Sequence, residues 1–235
     1  MGMDGRAIKT ADMARFPALE ANVPASASAV SSPLLYRLLR PPVRSLLERV
    51  CGLSIEGVEH VPPCGPYIVA ANHHNYLDGI VLAVAIQQPI AFLVMPRVYR
   101  ATPLHPLLHR HLGSIPINLG RSDVGALRRA LGALEDDRVV GIFPEGPFSV
   151  RGRLEPGLHG VALLALRSGA PVLPAGIRGT YEALVGRRAY VPRRCPLSVR
   201  FGPPRCFSGP SVNGGRSARA DITARIMDDI AGLLQ

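Results

Sequence analysis

Hydrophobic positions along the chain fall into two kinds of run, and their alternation predicts an α/β protein. Short apolar runs bounded by polar or turn residues predict strands at 53–58, 67–71, 90–94, 114–118, 139–143, 172–177 and 197–201. Between them, spacing of three and four predicts helices at 78–86, 106–111, 122–135, 157–168 and 221–234. In the 122–135 helix, Ser122 stands as N-cap and Val124, Leu127, Leu131 and Leu134 form one stripe. Gly169 stops the helix before it. Strands alternating with helices argue for one α/β domain, a central sheet covered on both faces.

The segment 33–50, PLLYRLLRPPVRSLLERV, has a different character. Leu34, Leu35, Leu38 and Leu39 are interleaved with Arg37 and Arg40, and Val43, Leu46, Leu47 and Val50 with Arg44 and Arg49. Two short amphipathic helical pieces are expected, broken at Pro41-Pro42. Cationic polar faces of this kind suit an anionic bilayer surface, with the apolar side in the acyl boundary. A helix packed on its own domain with a solvated Arg face fits the pattern equally. Residues 1–32 are expected to be a flexible leader, 33–50 a helical segment with possible membrane contact, and 51–235 the functional domain.

Composition narrows the classes. With 47% hydrophobic residues the chain can bury a core, and with aromatics at 5% that core rests on Leu, Val, Ile and Ala. The 27 basic residues against 17 acidic ones give a net charge of +10, and Lys9 is the one Lys. Such a chain is attracted to anionic lipid or phosphorylated ligands. Its cations are scattered rather than interleaved with aromatics, so no nucleic-acid partner is expected. Cys51, Cys64, Cys195 and Cys206 form no CxxC pair, and the expectation is free thiols and no metal. No secretory h-region and no bilayer-spanning apolar run is present, so a cytoplasmic protein peripheral on the membrane's inner face is expected.

Two constellations carry chemistry. The first, Asn72-His73-His74-Asn75-Tyr76-Leu77-Asp78, follows a buried strand and opens a helix. Asp78 can fold back across the turn onto His73, fixing its tautomer and stabilising the imidazolium. The other ring nitrogen is then free to take a proton from an alcohol. This is the base-and-orienter half of a Ser-His-Asp triad without an enzyme serine, so the substrate hydroxyl is the expected nucleophile. The second, Phe143-Pro144-Glu145-Gly146-Pro147-Phe148-Ser149, also follows a strand and holds a carboxylate on a tight turn. Either constellation alone is a weak signal.

Together they resemble the lysophosphatidic acid acyltransferase (1-acyl-glycerol-3-phosphate acyltransferase) family. The first matches the block NHxSxxD and the second matches FPEGTRS. Gly113-Ser114-Ile115-Pro116-Ile117-Asn118 is similar to GxIPVDR, and the stretch from Ala170 to Ile177 is similar to a fourth block, PVxPVxI. The resemblance covers roughly 45–205 and implies a glycerol-3-phosphate acyltransferase-like mixed sheet flanked by helices. It implies that His73 is the general base and Asp78 its orienter. Asn75, Arg121, Pro144, Glu145, Gly146, Phe148 and Ser149 would serve the acceptor. The donor would be acyl-CoA or acyl-carrier protein as co-substrate, with no cofactor and no metal. The expected reaction moves a fatty acyl group to a lysophospholipid hydroxyl in phospholipid biosynthesis. A phosphate-free lipid alcohol or amine, or a non-catalytic lipid-binding role, are the alternatives.

The chain departs from that pattern in its cations. Pro147-Phe148 stand for Thr-Arg, Leu119 for an Arg, Leu158 for a Lys and Met95 for another Lys. A phosphate dianion in a cleft needs charge-assisted donors. Either Arg97, Arg121, Arg151 and Arg153 substitute, or the acceptor lacks a phosphate.

Overall fold

The computed structural model describes residues 34–95, 109, 113–117, 123–149, 151–184, 193–207 and 216–235. The expected leader, Arg97, Leu119, Arg121, Ser122 and all but His109 of the 106–111 helix lie outside them.

The described residues build one seven-stranded sheet, ordered β1-β7-β6-β2-β5-β3-β4. The strands are β1 (Ser54–Glu56), β2 (Tyr67–Ala71), β3 (Ile90–Val94), β4 (Ile115–Pro116), β5 (Val139–Ile142), β6 (Val172–Arg178) and β7 (Ser198–Phe201). All neighbours are parallel except β6 and β7, so the sheet is mixed, as expected. Every residue of β2 is buried, consistent with a central strand covered on both faces.

Helices α1 (Leu34–Cys51) and α2 (Tyr76–Ala85) lie with one core cluster. Helices α3 (Val124–Glu135), α4 (Gly160–Ser168) and α6 (Arg216–Leu233) lie with the other, and a short α5 (Thr180–Leu184) follows β6. The stripe that α3 buries is Ala126, Ala130, Ala133 and Leu134, while Val124 is 55% exposed. Small alanines let the helix approach the sheet closely, and Leu127 and Leu131 are partly buried against the same core. Its N-cap is Asp123, whose carboxylate accepts from the Ala126 N–H at 2.8 Å; the expectation of Ser122 is corrected by one position. Gly169 ends α4 in the left-handed conformation, φ 68°, as expected.

One expectation fails clearly. Pro41 and Pro42 do not divide the first segment, and α1 runs through them as one 18-residue helix. Interior prolines cost about 3 kcal/mol or more in a lone helix. Here both halves are pinned to the domain. Before the prolines, the Tyr36 hydroxyl lies 2.6 Å from the Ala83 carbonyl and 3.0 Å from that of Ile86. Arg40 Nε donates to the Ile86 carbonyl at 3.0 Å, placing a cation at the C-terminal end of α2. After the prolines, Leu47 and Cys51 are buried in the core. The opposite face leaves Leu34, Leu38 and Leu46 exposed at 71%, 63% and 59%. No helix among the described residues is long and apolar enough to cross a membrane.

Candidate active site

Adjacent parallel strands β2 and β5 end at the same edge of the sheet, in the register Ala70 to Ile142. The turn after each therefore meets the turn after the other. Asn72, fully buried, closes the end of β2 by pairing with Ile177 on β6. Its Nδ2 donates to the Ile177 carbonyl at 2.8 Å and its Oδ1 accepts from the Ile177 N–H at 2.7 Å.

Helix α2 then starts with a reciprocal capping arrangement. Asn75 Oδ1 accepts from the Leu77 N–H at 2.9 Å, and the Asn75 N–H donates to Asp78 Oδ2 at 2.7 Å. The cap folds the Asp78 carboxylate back over the turn. The same oxygen lies 2.9 Å from His73 Nδ1 and accepts from the His74 N–H at 2.6 Å. Asp78 is wholly buried, and its other oxygen, Oδ1, has no hydrogen-bond partner. With the carboxylate ionised, His73 carries its proton on Nδ1 and leaves Nε2 bare.

The turn after β5 grips the backbone of His73 from two sides. Glu145 Oε1 accepts from the His73 N–H at 2.6 Å, and the Ser149 N–H donates to the His73 carbonyl at 2.8 Å. The second Glu145 oxygen accepts from the Glu155 N–H at 2.7 Å, and Ser149 Oγ donates to the Arg153 carbonyl at 2.7 Å. Gly146 turns the chain with φ 82°, a left-handed geometry that favours glycine. Burial pushes the Glu145 carboxyl up to about 7, against the two backbone N–H groups that favour its ionised form.

The His73 ring is held between aromatic rings. Phe143 stacks on it at 3.7 Å with an interplanar angle of 6°, and Phe148 meets it edge-on at 4.5 Å. Phe92 stacks in turn on Phe143 at 5.9 Å, and Tyr76 packs edge-on against Phe148 at 4.8 Å. Gly141 makes room for this column, because a methyl group there would overlap the Phe92 ring.

His73 opens onto a cavity of about 780 Å³, lined mainly by apolar side chains. Tyr36, Leu39 and Val43 of α1 border it, as do Leu127 of α3 and Leu163 and Leu164 of α4. Pro144, Gly146 and Phe148 line it. Asn75, Glu145 and Ser149 do not. Their polar atoms are spent on the framework: Asn75 Nδ2, for example, donates to the Thr180 carbonyl at 2.6 Å. These three hold the turn that carries His73. Arg121 lies outside the described residues, and Arg151 and Arg153 are exposed and do not line the cavity.

His74 faces a different hollow, with its ring Nδ1 3.4 Å from Thr180 Oγ1, and burial lowers its pKa. It does not line the cavity of His73. Among the described residues no group of His, Cys, Asp and Glu is placed to hold a metal ion. Phe143, Tyr76 and Arg219 also border the cavity and were given no role in the sequence. Phe143 could have been found, because the two-residue period of β5 puts it on the same face as Gly141. Nothing in the pattern around Arg219 singles it out.

Comparison with known proteins agrees with this geometry. The family model described as Acyltransferase matches residues 52–178. The chloroplastic 1-acyl-sn-glycerol-3-phosphate acyltransferase BAT2 of Brassica napus is 30% identical over 130 residues, which are 54% of this chain and 37% of that one. Its counterpart LPAT1 of Arabidopsis thaliana is 28% identical over 131 residues, 54% and 36% of the two chains. This chain thus spans about a third of the length of these plant relatives. The 1-acyl-sn-glycerol-3-phosphate acyltransferase of Bacillus subtilis is 20% identical over 146 residues, 62% and 72% of the two chains. The crystal structure of the 1-acyl-sn-glycerophosphate acyltransferase PlsC from Thermotoga maritima superposes with a TM-score of 0.61 over 83% of this chain and 81% of that one. Their sequences are 22% identical, so this likeness speaks for the fold. The family model spans the turns of both His73 and Glu145, and on that match the chain belongs to the acyltransferase family.

Proposed function

We propose that the protein moves a fatty acyl group from the thioester of acyl-CoA or acyl-carrier protein to the hydroxyl of a lysophospholipid such as 1-acyl-glycerol-3-phosphate. The observation that carries this reading is the pairing of His73 with Asp78 at 2.9 Å on the wall of a large apolar cavity. Such a cavity with few convergent polar groups suits an acyl chain.

Nε2 of His73 takes the acceptor's hydroxyl proton as its oxygen attacks the thioester carbonyl. The tetrahedral intermediate collapses, the C–S bond breaks, and the thiolate leaves with the proton that the imidazolium returns. Asp78 stabilises that imidazolium and holds the ring's tautomer. The stacked Phe143 keeps the ring from rotating out of line.

Helix α1 supports work at a membrane surface. Its outer Leu34, Leu38 and Leu46 offer apolar side chains to a bilayer, and the chain's charge of +10 favours anionic lipid. Leu39 is 46% exposed and also borders the cavity, so a lipid chain could pass from surface to site along α1. A peripheral position on the inner face of the cytoplasmic membrane follows from this reading.

A second reading has its own observation. Phe148 and Leu158 line the cavity where the family pattern has cations, which favours a phosphate-free lipid alcohol or amine. One assay tests both. Thiol release from palmitoyl-CoA is measured across lysophosphatidic acid, other lysophospholipids and phosphate-free lipid alcohols and amines, with products resolved by mass. Acylated lysophosphatidic acid, made by the wild type and lost in His73→Ala, is the expected result. Transfer confined to phosphate-free acceptors establishes the second reading, and unaltered turnover by His73→Ala removes the mechanism.

A further inference from the structure

The motif blocks lack phosphate-gripping cations, yet the cavity does not lack a cation. Arg219 of α6 reaches it from outside residues 52–178. Its Nε is shielded from solvent and has no hydrogen-bond partner. A guanidinium N–H withdrawn from water without an acceptor is costly, and a bound anion relieves that cost. Among the described residues the other arginine on the cavity wall, Arg40, has its Nε committed to the Ile86 carbonyl.

Other features near Arg219 fit an anion. His159, Gly160 and Val161, at the start of α4, line the same cavity, and no side chain caps that helix. A Cβ on Gly160 would meet nothing within 4 Å, so the space in front of it is open. The N-terminal end of a helix favours negative charge. Thr223 joins the two elements: its hydroxyl donates to the Arg219 carbonyl at 2.8 Å and lies 3.4 Å from His159 Nδ1. Leu158, which stands where the family pattern has Lys, borders this end of the cavity too. Among the described residues Asp123 is the carboxylate on the cavity wall, with Oδ1 accepting from the Ala126 N–H at 2.8 Å.

We infer that Arg219, with the start of α4, forms a phosphate subsite of the His73 cavity that takes the phosphate monoester of the acceptor, supplying from the C-terminal helix the cation missing at Leu158. This deepens the acyl-transfer reading and rests on it. A phosphate could also come from the donor's carrier, and the experiment separates the two.

The full chain is compared as wild type, Arg219→Gln, Arg219→Lys and, as an exposed control on the same helix, Arg225→Gln. Thermal unfolding first establishes that each is folded. Calorimetric binding is then measured for lysophosphatidic acid and for a monoacylglycerol of equal chain length. Arg219→Gln should weaken lysophosphatidic acid binding at least tenfold and spare the monoacylglycerol. Arg219→Lys should recover part of the loss, and Arg225→Gln should match the wild type. In turnover, Arg219→Gln should raise KM for lysophosphatidic acid by a similar factor while KM for palmitoyl-CoA stays put. A rise in KM for palmitoyl-CoA instead assigns the phosphate to the donor and overturns the proposal. Equal losses for both lipids, or no loss, overturn it as well. Selective binding loss in a protein whose wild type turns over no acceptor would sink acyl transfer and leave the anion site standing.

Discussion

The backbone N–H of His73 donates to Glu145 across 2.6 Å, although 72 positions of chain separate them. If this bond positions the ring, substitution of Glu145 should act through His73. In Glu145→Gln one buried backbone N–H, of His73 or of Glu155, faces an amide NH2 in place of an oxygen. The expected loss is about 1–3 kcal/mol of stability, with a fall in kcat larger than any change in KM. Chemical denaturation and steady-state kinetics on the same preparation check both.

The same carboxyl gives a pH signature. Its folded-state pKa is pushed up to about 7 from an ordinary value of 4.5, chiefly by burial. Between those values the folded protein holds more protons than the unfolded one. The stabilisation is fully present below about 4.5 and is lost as pH rises through about 7. Glu145→Gln should flatten this part of the stability-against-pH curve. A curve with the same slope in the variant would exclude Glu145 as its source.

Asp78→Asn should be more damaging to rate than to fold. Oδ2 takes three hydrogen bonds, from the His73 ring and the His74 and Asn75 N–H groups, and an amide can satisfy the two backbone donors but not hold the imidazolium. A fall in kcat of roughly 10²–10⁴ is expected. Circular dichroism should remain that of the wild type.

Phe148→Arg restores the cation of the family pattern beside His73. It also removes the ring that meets the imidazole edge-on at 4.5 Å. Activity toward phosphate-free acceptors should drop, and the ratio of kcat/KM for lysophosphatidic acid over monoacylglycerol should rise. A ratio that does not move would mean Phe148 has no part in acceptor choice.

Tyr36→Phe leaves the Ala83 and Ile86 carbonyls without their shared hydroxyl and should cost about 1–2 kcal/mol. Faster hydrogen exchange and earlier proteolysis within α1 than in the sheet are expected. If α1 carries the membrane contact, Leu38→Gln with Leu46→Gln should reduce sedimentation with anionic vesicles while leaving turnover of a soluble short-chain thioester intact.

Much of the fold was legible in the sequence, because strands buried on both faces are written as uninterrupted apolar runs. The span 67–71 and the span 90–94 match β2 and β3 residue for residue. The His73–Asp78 pairing was legible too, since a capping turn brings residues five apart together. Tertiary compensation was not. Pro41-Pro42 signals a break, and only the anchoring of Tyr36 and Arg40 on α2 explains why α1 continues. The roles of Glu145 and Asn75 were hidden for a related reason. Their polar atoms look available in sequence, whereas the backbone groups they satisfy belong to distant segments. Arg219 is invisible for the opposite reason, being one arginine among many until the fold turns it inward.

The parallel register of β2 against β5 acts as a ruler between the two motif turns. Each strand delivers its turn to the same edge only while Ala70 stands opposite Ile142. One residue inserted in either strand would reverse the facing of every side chain beyond it and move His73 off its clamp. The chain linking the two strands carries its own constraints, because it holds the His73–Asp78 turn, α2 and β3, which is itself in register with β5. Active homologues should therefore keep a fixed count of residues in the two strands.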